Sequence, residues 1–386
     1  MKKNSVFVLF IFLLMSACST KKPADFIVTH ATVYTVDEEF TKVESFVVAG
    51  GKIVATGSTK EILAEYTSEN ILDATGKFVY PGFNDAHAHF NGYGENLMQY
   101  TDLRGTTGPD DIYEKIVAHH KKFGSDWVLG RSWDQNDWQV AEFPDKTKLD
   151  ELFPETPVYL VRVDGHAGWC NSRALEMAGI TAETKVTGGL IELKNGEPTG
   201  ILIDNAMGLV SRMIPEITTE QQKRGLLEAQ KNCFAAGLTS VTDAGLDKAT
   251  VLLMEEMQKS GVLKMRINAI LNPSEENFEF FVKNGPKKEE RLVVNTIKLF
   301  ADGALGSRGA LLLDEYSDDS GNKGIQIEAQ EYYDKICKLA YENNFAVATH
   351  CIGDGANRLM LDTYGKFLKS ENDRRWRIEH AQIIHP

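Results

Sequence analysis

His87-Ala88-His89 carries the first chemical signal in this 386-residue chain. On a strand, residues i and i+2 point to the same side, so both imidazoles can reach one cation. Alone, such a pair is equally compatible with packing; here it ends an apolar run that starts after the Pro81-Gly82 turn. His350 closes a second run, Phe345 to His350, and His380 a third, Trp376 to His380. A single histidine in such a place is ordinarily a hydrogen-bonded packing or surface residue. Four of nine at strand ends can complete a metal shell if the sheet closes. Lys298 lies inside the apolar stretch Thr296 to Phe300, where an ammonium is costly unless neutralised or paired. Reaction with carbon dioxide would turn its amine into a carbamate, an oxygen ligand able to bridge two ions. A lysine stem snorkelling at a strand edge is the alternative.

Further candidates surround these five. Asp164-Gly165-His166 offers His166 as a donor to a substrate oxygen, or as a loop histidine satisfied by backbone. Asp302 and Arg308 follow Lys298 closely and are candidate substrate contacts; Arg308 binds an anion or makes a structural salt bridge. Trp133, in Trp133-Asp134-Gln135-Asn136-Asp137-Trp138, is either a substrate contact or part of a packed loop.

Such scattered residues need elements that bring them together. Strand-like runs at Phe78 to Phe83, Leu238 to Asp243, Lys264 to Leu271, Leu292 to Phe300, Phe345 to His350 and Trp376 to His380 alternate with helical segments, one spanning Glu220 to Ala236. Buried strands separated by helices predict βα units. In a βα barrel the C-terminal strand ends share one face, where chemistry sits. Residues 25–80 read as a small β module with a Gly50-Gly51 turn. The stretch from about Asp110 to Pro215 breaks the rhythm and is predicted to be a long insertion over the barrel mouth. Cys170, Cys233, Cys337 and Cys351 are widely spaced without a CxxC pair, so they read as small buried hydrophobes.

Composition narrows the classes. With 42% hydrophobic and 25% charged residues the chain is ordinary globular material. Its formal charge of −13 opposes binding to nucleic acid. Residues 1–17 read as a signal: Lys2 and Lys3, an apolar run from Val6 to Ala17, then Cys18. The pattern resembles a bacterial lipoprotein signal, which implies a lipid on Cys18 and a membrane as partner. Residues 18–24 are the tether, and export to the cell envelope follows; a plain secretory signal is the alternative.

Taken together, Pro81 to His89, Asp164 to His166, Lys298 to Arg308, Thr349 to Gly355 and Ile378 to Ala381 resemble the amidohydrolase superfamily. The likeness is to its branch known as amidohydrolase family 3, the YtcJ-like group, and runs from about Asp25 to the last residue. It implies an α/β fold: a TIM-type βα barrel over residues 81–386, beside a composite β-sandwich. It also implies that His87 and His89 bind one metal, that Lys298 is carbamylated and bridging, and that His350 and His380 bind a second. Such ligands suit zinc, with iron, manganese and nickel as alternatives and one or two ions possible. The implied reaction is hydrolysis of a non-peptide carbon–nitrogen bond in a small-molecule amide, N-acyl or cyclic amide substrate, by water activated on the metal. A deaminase, a lactone or ester hydrolase, and a catalytically silent envelope lipoprotein are the alternatives. Against the family pattern, six of eight barrel strands are matched, the barrel is therefore incomplete, and no residue matches the family's terminal metal-binding Asp.

Overall fold

The computed structural model describes residues 20–163, 165, 167–186, 189–204, 206–303, 305, 309–317 and 320–385. Cys18, His166 and Arg308, and with them the signal segment, lie outside the described residues. The chain forms two compact units, Met1–Gly82 and Phe83–Pro386.

The first unit is built from short strands. Phe26–Thr29 sits between Ser45–Ala49 and Ile71–Asp73, with Lys52–Gly57 on the outer edge. Thr32–Tyr34 pairs with Lys42–Val43 and Phe78–Val79 in a second sheet. The helix Thr59–Glu65 starts at a Ser58/Glu61 capping box, which satisfies two otherwise orphaned N–H groups. The predicted run Phe78 to Phe83 is thus two strands in two units. Pro81 has no N–H to give a ladder, and pairing stops on either side of Pro81-Gly82.

The second unit holds six parallel strands in sequential order: β1 (Phe83–Ala88), β2 (Leu238–Leu246), β3 (Arg266–Leu271), β4 (Leu292–Phe300), β5 (Ala346–Cys351) and β6 (Arg377–His380). The sheet curls into a nearly closed barrel of TIM type. At its seam Arg377 of β6 donates to the Ala86 carbonyl of β1 at 3.4 Å. Residues alternate with period two. Val241, Ile267, Ala269, Ile297, Leu299 and Val347 face out into one continuous core with the helices, while Ala244, Ile270 and Ala348 meet inside. Two covering helices, α1 (Phe90–Gln99) and α2 (Thr219–Ala235), touch through Gly94 and Gly225. A Cβ on Gly225 would stand 2.5 Å from the Gly94 carbonyl oxygen, so only glycine allows this approach.

Between α1 and α2 lies the insertion. Its sheet runs Tyr100–Asp102, Val128–Trp133, Val158–Arg162, Ala167–Cys170, Glu197–Asp204, Gly189–Lys194, the first three strands parallel. The first strand begins ten residues ahead of the predicted start at Asp110. Three residues, two of them polar, carry too little periodicity to be seen in sequence. Separate apolar clusters cover the two faces of this sheet.

Candidate metal centre

Lys298 owes its position to one extra residue. In β4, Leu292 and Val294 face the helices, so strict alternation would send Thr296 and Lys298 outward as well. The ladder with β3 slips at Asn295, where Ala269 pairs with Val294 but Ile270 with Thr296. This bulge reverses the alternation, and Ile297 and Leu299 take the outward places. Lys298 is left 1% exposed, opposite Ala348 of β5, whose small side chain leaves room for the lysine stem. Burial lowers its pKa, with the Glu379 carboxylate opposing and Arg377 assisting.

The four strand-end histidines are neighbours. Ring centroids of His87 and His89 lie 5.4 Å apart, His87 and His380 4.7 Å, and His350 and His380 4.7 Å. The structure therefore gathers imidazoles from β1, β5 and β6 at one end of the barrel, above the buried amine of β4.

Three of the rings are oriented by partners that can only accept. His87 Nδ1 donates to Glu379 Oε2 at 2.7 Å. His89 Nδ1 donates to the Ala244 carbonyl at 3.0 Å, and His350 Nε2 to the Gly303 carbonyl at 3.1 Å. A carboxylate or a carbonyl cannot donate, so each bond places a proton on the bonded nitrogen. In the neutral ring the lone pair is then on the opposite nitrogen: Nε2 of His87 and His89, Nδ1 of His350. His87 Nε2 is buried and has no hydrogen-bond partner. Burial, then the Lys298 charge, lowers the pKa of His87, while Glu379 works the other way. His380 is lowered by burial and then by His350, His87 and Lys298. Burial would raise Glu379, but Arg377 and His87 outweigh it and hold the carboxyl below its usual range.

The donor set fits a divalent ion: imidazoles with a fixed second nitrogen, one buried ring nitrogen without a hydrogen-bond partner, and an amine whose charge is already disfavoured. As the side chains stand, no three described His, Cys, Asp or Glu residues form a closed cage for an ion.

Two expectations need correction. Trp133 is fully buried, stacked on Trp138, edge-on to Trp169, and donates its indole N–H to the Leu160 carbonyl. It belongs to the insertion's core, not to a substrate surface. Asp302 is also sealed, 1% exposed. Its carboxylate accepts N–H bonds from Leu311, Ile352 and Gly353 at 2.8–2.9 Å, so it shapes the turn after His350 instead of meeting substrate.

Sequence reasoning missed Glu379 and Asp243. Asp243 of β2 accepts from the N–H groups of Phe90 and Asn91, at 2.8 and 2.9 Å, and so anchors the first turn of α1 directly after His89. The available signal was an acid in a buried strand, immediately before a ligand-type histidine or at a strand's end.

Comparison with known proteins decides the family. Residues 70–386 match the profile of the Amidohydrolase family. The chain belongs to the amidohydrolase family. Among relatives of this amidohydrolase chain, the protein LONG AFTER FAR-RED 3 of Arabidopsis thaliana is 33% identical over 94% of the chain. YtcJ of Bacillus subtilis, named as a candidate amidohydrolase, is 32% identical over 91%. The N-substituted formamide deformylase of Arthrobacter pascens is 27% identical over 93%. The chain spans 65%, 68% and 69% of these relatives' lengths. A metal-dependent hydrolase from Pyrococcus furiosus superposes with a TM-score of 0.71 at 27% identity, covering 93% of this amidohydrolase chain and 73% of its own. Membership of this family implies a divalent metal.

Proposed function

We propose that this chain carries the hydrolytic centre of a metal-dependent amidohydrolase, which opens a non-peptide carbon–nitrogen bond in a small amide, N-acyl or cyclic amide. One observation carries the reading: four imidazoles meet above a buried lysine, and three of them have one ring nitrogen tied to an acceptor and the other left free. That is the arrangement expected of metal-ligating histidines. His87, His89, His350, His380 and a carbamylated Lys298 would hold the ion or ions, and zinc suits these ligands. Burial favours the neutral amine of Lys298, the form that adds to carbon dioxide. An ion held there supplies Lewis acidity for the scissile carbonyl and for water.

The protein's own residues do the rest. Glu379 keeps His87 in one tautomer and turns its free nitrogen inward. Asp243 and Asp302 hold the backbone after His89 and after His350, so the ligands enter from fixed turns. His166 is proposed as the donor to the substrate oxygen. The likeness to an N-substituted formamide deformylase favours a carbon–nitrogen bond over an ester. Lipid attachment at Cys18 and a place on the cell envelope are part of the same proposal. Among the described residues no helix is long and apolar enough to cross a membrane.

The test starts with purified protein reconstituted with zinc and bicarbonate. Metal content is measured by elemental analysis, and a library of small amides is screened for amine release. Stoichiometric zinc with turnover is expected, and Lys298→Ala and His350→Ala should lose the ion while keeping the wild-type circular dichroism. Wild-type protein without zinc, or Lys298→Ala with undiminished zinc, overturns the metal assignment. Bound zinc with no turnover across the library overturns the hydrolytic one.

A further inference from the structure

The insertion carries a second cleft, and none of the four strand-end histidines lines it. The strand Val128–Trp133 departs from regular pairing immediately after Arg131. Arg131 pairs with Val161 but Trp133 with Arg162, and Ser132 between them has a φ of 72°. A non-glycine residue held in the left-handed region is strained, and such strain concentrates at binding sites. The bulge also separates two side chains that alternation would place together. Leu129 and Tyr159 lie in one face cluster of the sheet, and Trp133 in the other. With regular pairing in place of the bulge, residues 131 and 133 would share one face and Trp133 would stand beside Arg131.

The cleft measures 580 Å³. It is shallow and open, lined by Arg131 and Ser211 together with Tyr100, Tyr159, Val161 and Met207, whose side chains pack against the insertion core. Gly168 pairs with Val161 and lies diagonal to Tyr159, and a Cβ there would stand 2.6 Å from the tyrosine ring, so glycine makes room for this ring. A second cavity of 330 Å³ shares Tyr100 and Arg131, and Thr101 on its wall has a buried hydroxyl without a hydrogen-bond partner. The cleft has the size of a small-molecule site.

Arg131 is the group that defines the ligand. Its guanidinium lies over the Tyr100 ring, 5.4 Å from the centroid, which pre-orders a long side chain. Its ladder neighbour Asp102 is occupied by Arg104 through a two-point ion pair, so the two cancel and Arg131 keeps a net positive charge. Among the described residues no carboxylate pairs with it. A guanidinium is a fork of donors shaped for a carboxylate.

We propose that this cleft binds a small organic monoanion with an apolar, ring-sized body, its carboxylate on Arg131 and its body on Tyr100 and Tyr159. None of the residues it rests on is a candidate metal ligand.

The probe is 3-phenylpropionate, compared with its neutral amide, 3-phenylpropionamide. Titrations are followed calorimetrically on metal-free protein, so that the acid cannot be held by an ion. Wild-type protein should bind the acid at least tenfold more tightly than the amide, and added salt should narrow the gap. Arg131→Gln should bring acid and amide to equal affinity, with an unchanged melting temperature because the side chain is exposed. Arg131→Lys should keep part of the preference, having the charge but not the fork. Equal affinities in the wild type, no binding of either probe, or a preference that survives Arg131→Gln each overturn the proposal.

Discussion

Glu379 illustrates how one carboxylate can set the chemistry of an imidazole without touching substrate. Its oxygen holds the Nδ1 proton of His87, while Arg377 on the same strand keeps it ionised. Glu379→Gln retains an acceptor but removes the charge. Metal affinity should fall by about 10–100-fold, as for other partners of ligating histidines, and a competitive chelator titration reads it directly; an unchanged affinity would leave Glu379 only a packing role. Asp243 makes a different prediction. Burial pushes its carboxyl up to about 7, against the pull of the Phe90 and Asn91 N–H groups. The folded protein thus holds this proton more tightly than the unfolded chain. The resulting stabilisation is fully present below the ordinary value of 3.8 and is lost as pH rises to about 7. In Asp243→Asn that dependence should vanish. Urea midpoints measured from pH 4 to 8 should show the wild type declining relative to the variant up to about pH 7, with a flat difference beyond.

At the scale of elements, single extra residues decide which face a side chain takes. The bulge at Asn295 turns Lys298 into the barrel, and the bulge at Ser132 sends Trp133 into the opposite core. Neither is visible in a period-two pattern, which explains why Trp133 could be read as a substrate contact or a loop residue although it ends the strand Val128–Trp133. The β4 strand, Leu292–Phe300, was legible to the residue because apolar and β-branched residues dominate it despite Asn295 and Lys298. Tyr100–Asp102 was not, since its partners lie 29 residues away and its own sequence is short and polar. The strand-end histidines were legible because type and position coincide; Glu379 and Asp243 were hidden because a lone acid has no spacing to betray it. Helix contacts give a test at this scale. A methyl at Gly225 would meet the Gly94 backbone of α1, which cannot yield as a flexible side chain can. Gly225→Ala should therefore destabilise by about 1–3 kcal/mol in chemical denaturation, despite the better helix propensity of alanine. Gly365→Ala, where a Cβ meets nothing within 4 Å, is the control and should cost nothing.

At the scale of the molecule, the candidate ligands span His87 to His380 and come from four strands of one curled sheet. The first and last of these strands, β1 and β6, meet only at a seam. They are joined there by the His87–Glu379 and Arg377–Ala86 contacts. An ion shared by these strands would cross-link the seam and tie nearly three hundred residues of chain into one cooperative unit. It would bind the folded state alone, since the unfolded chain keeps its donors far apart. Binding at a free concentration one hundred times the dissociation constant then adds about 2.7 kcal/mol of stability. For a unit of this size that is a rise of several degrees in the melting temperature. Zinc titration followed by scanning calorimetry should show the shift in the wild type, a reversal with chelator, and none in Lys298→Ala or His380→Ala. A wild type whose transition ignores zinc at every concentration, while the same sample binds it stoichiometrically, would mean that the unfolded chain holds the ion as tightly as the folded protein does, so that the ion ties no strands together. The barrel seam would then owe its closure to the side-chain contacts of His87 and Arg377 alone.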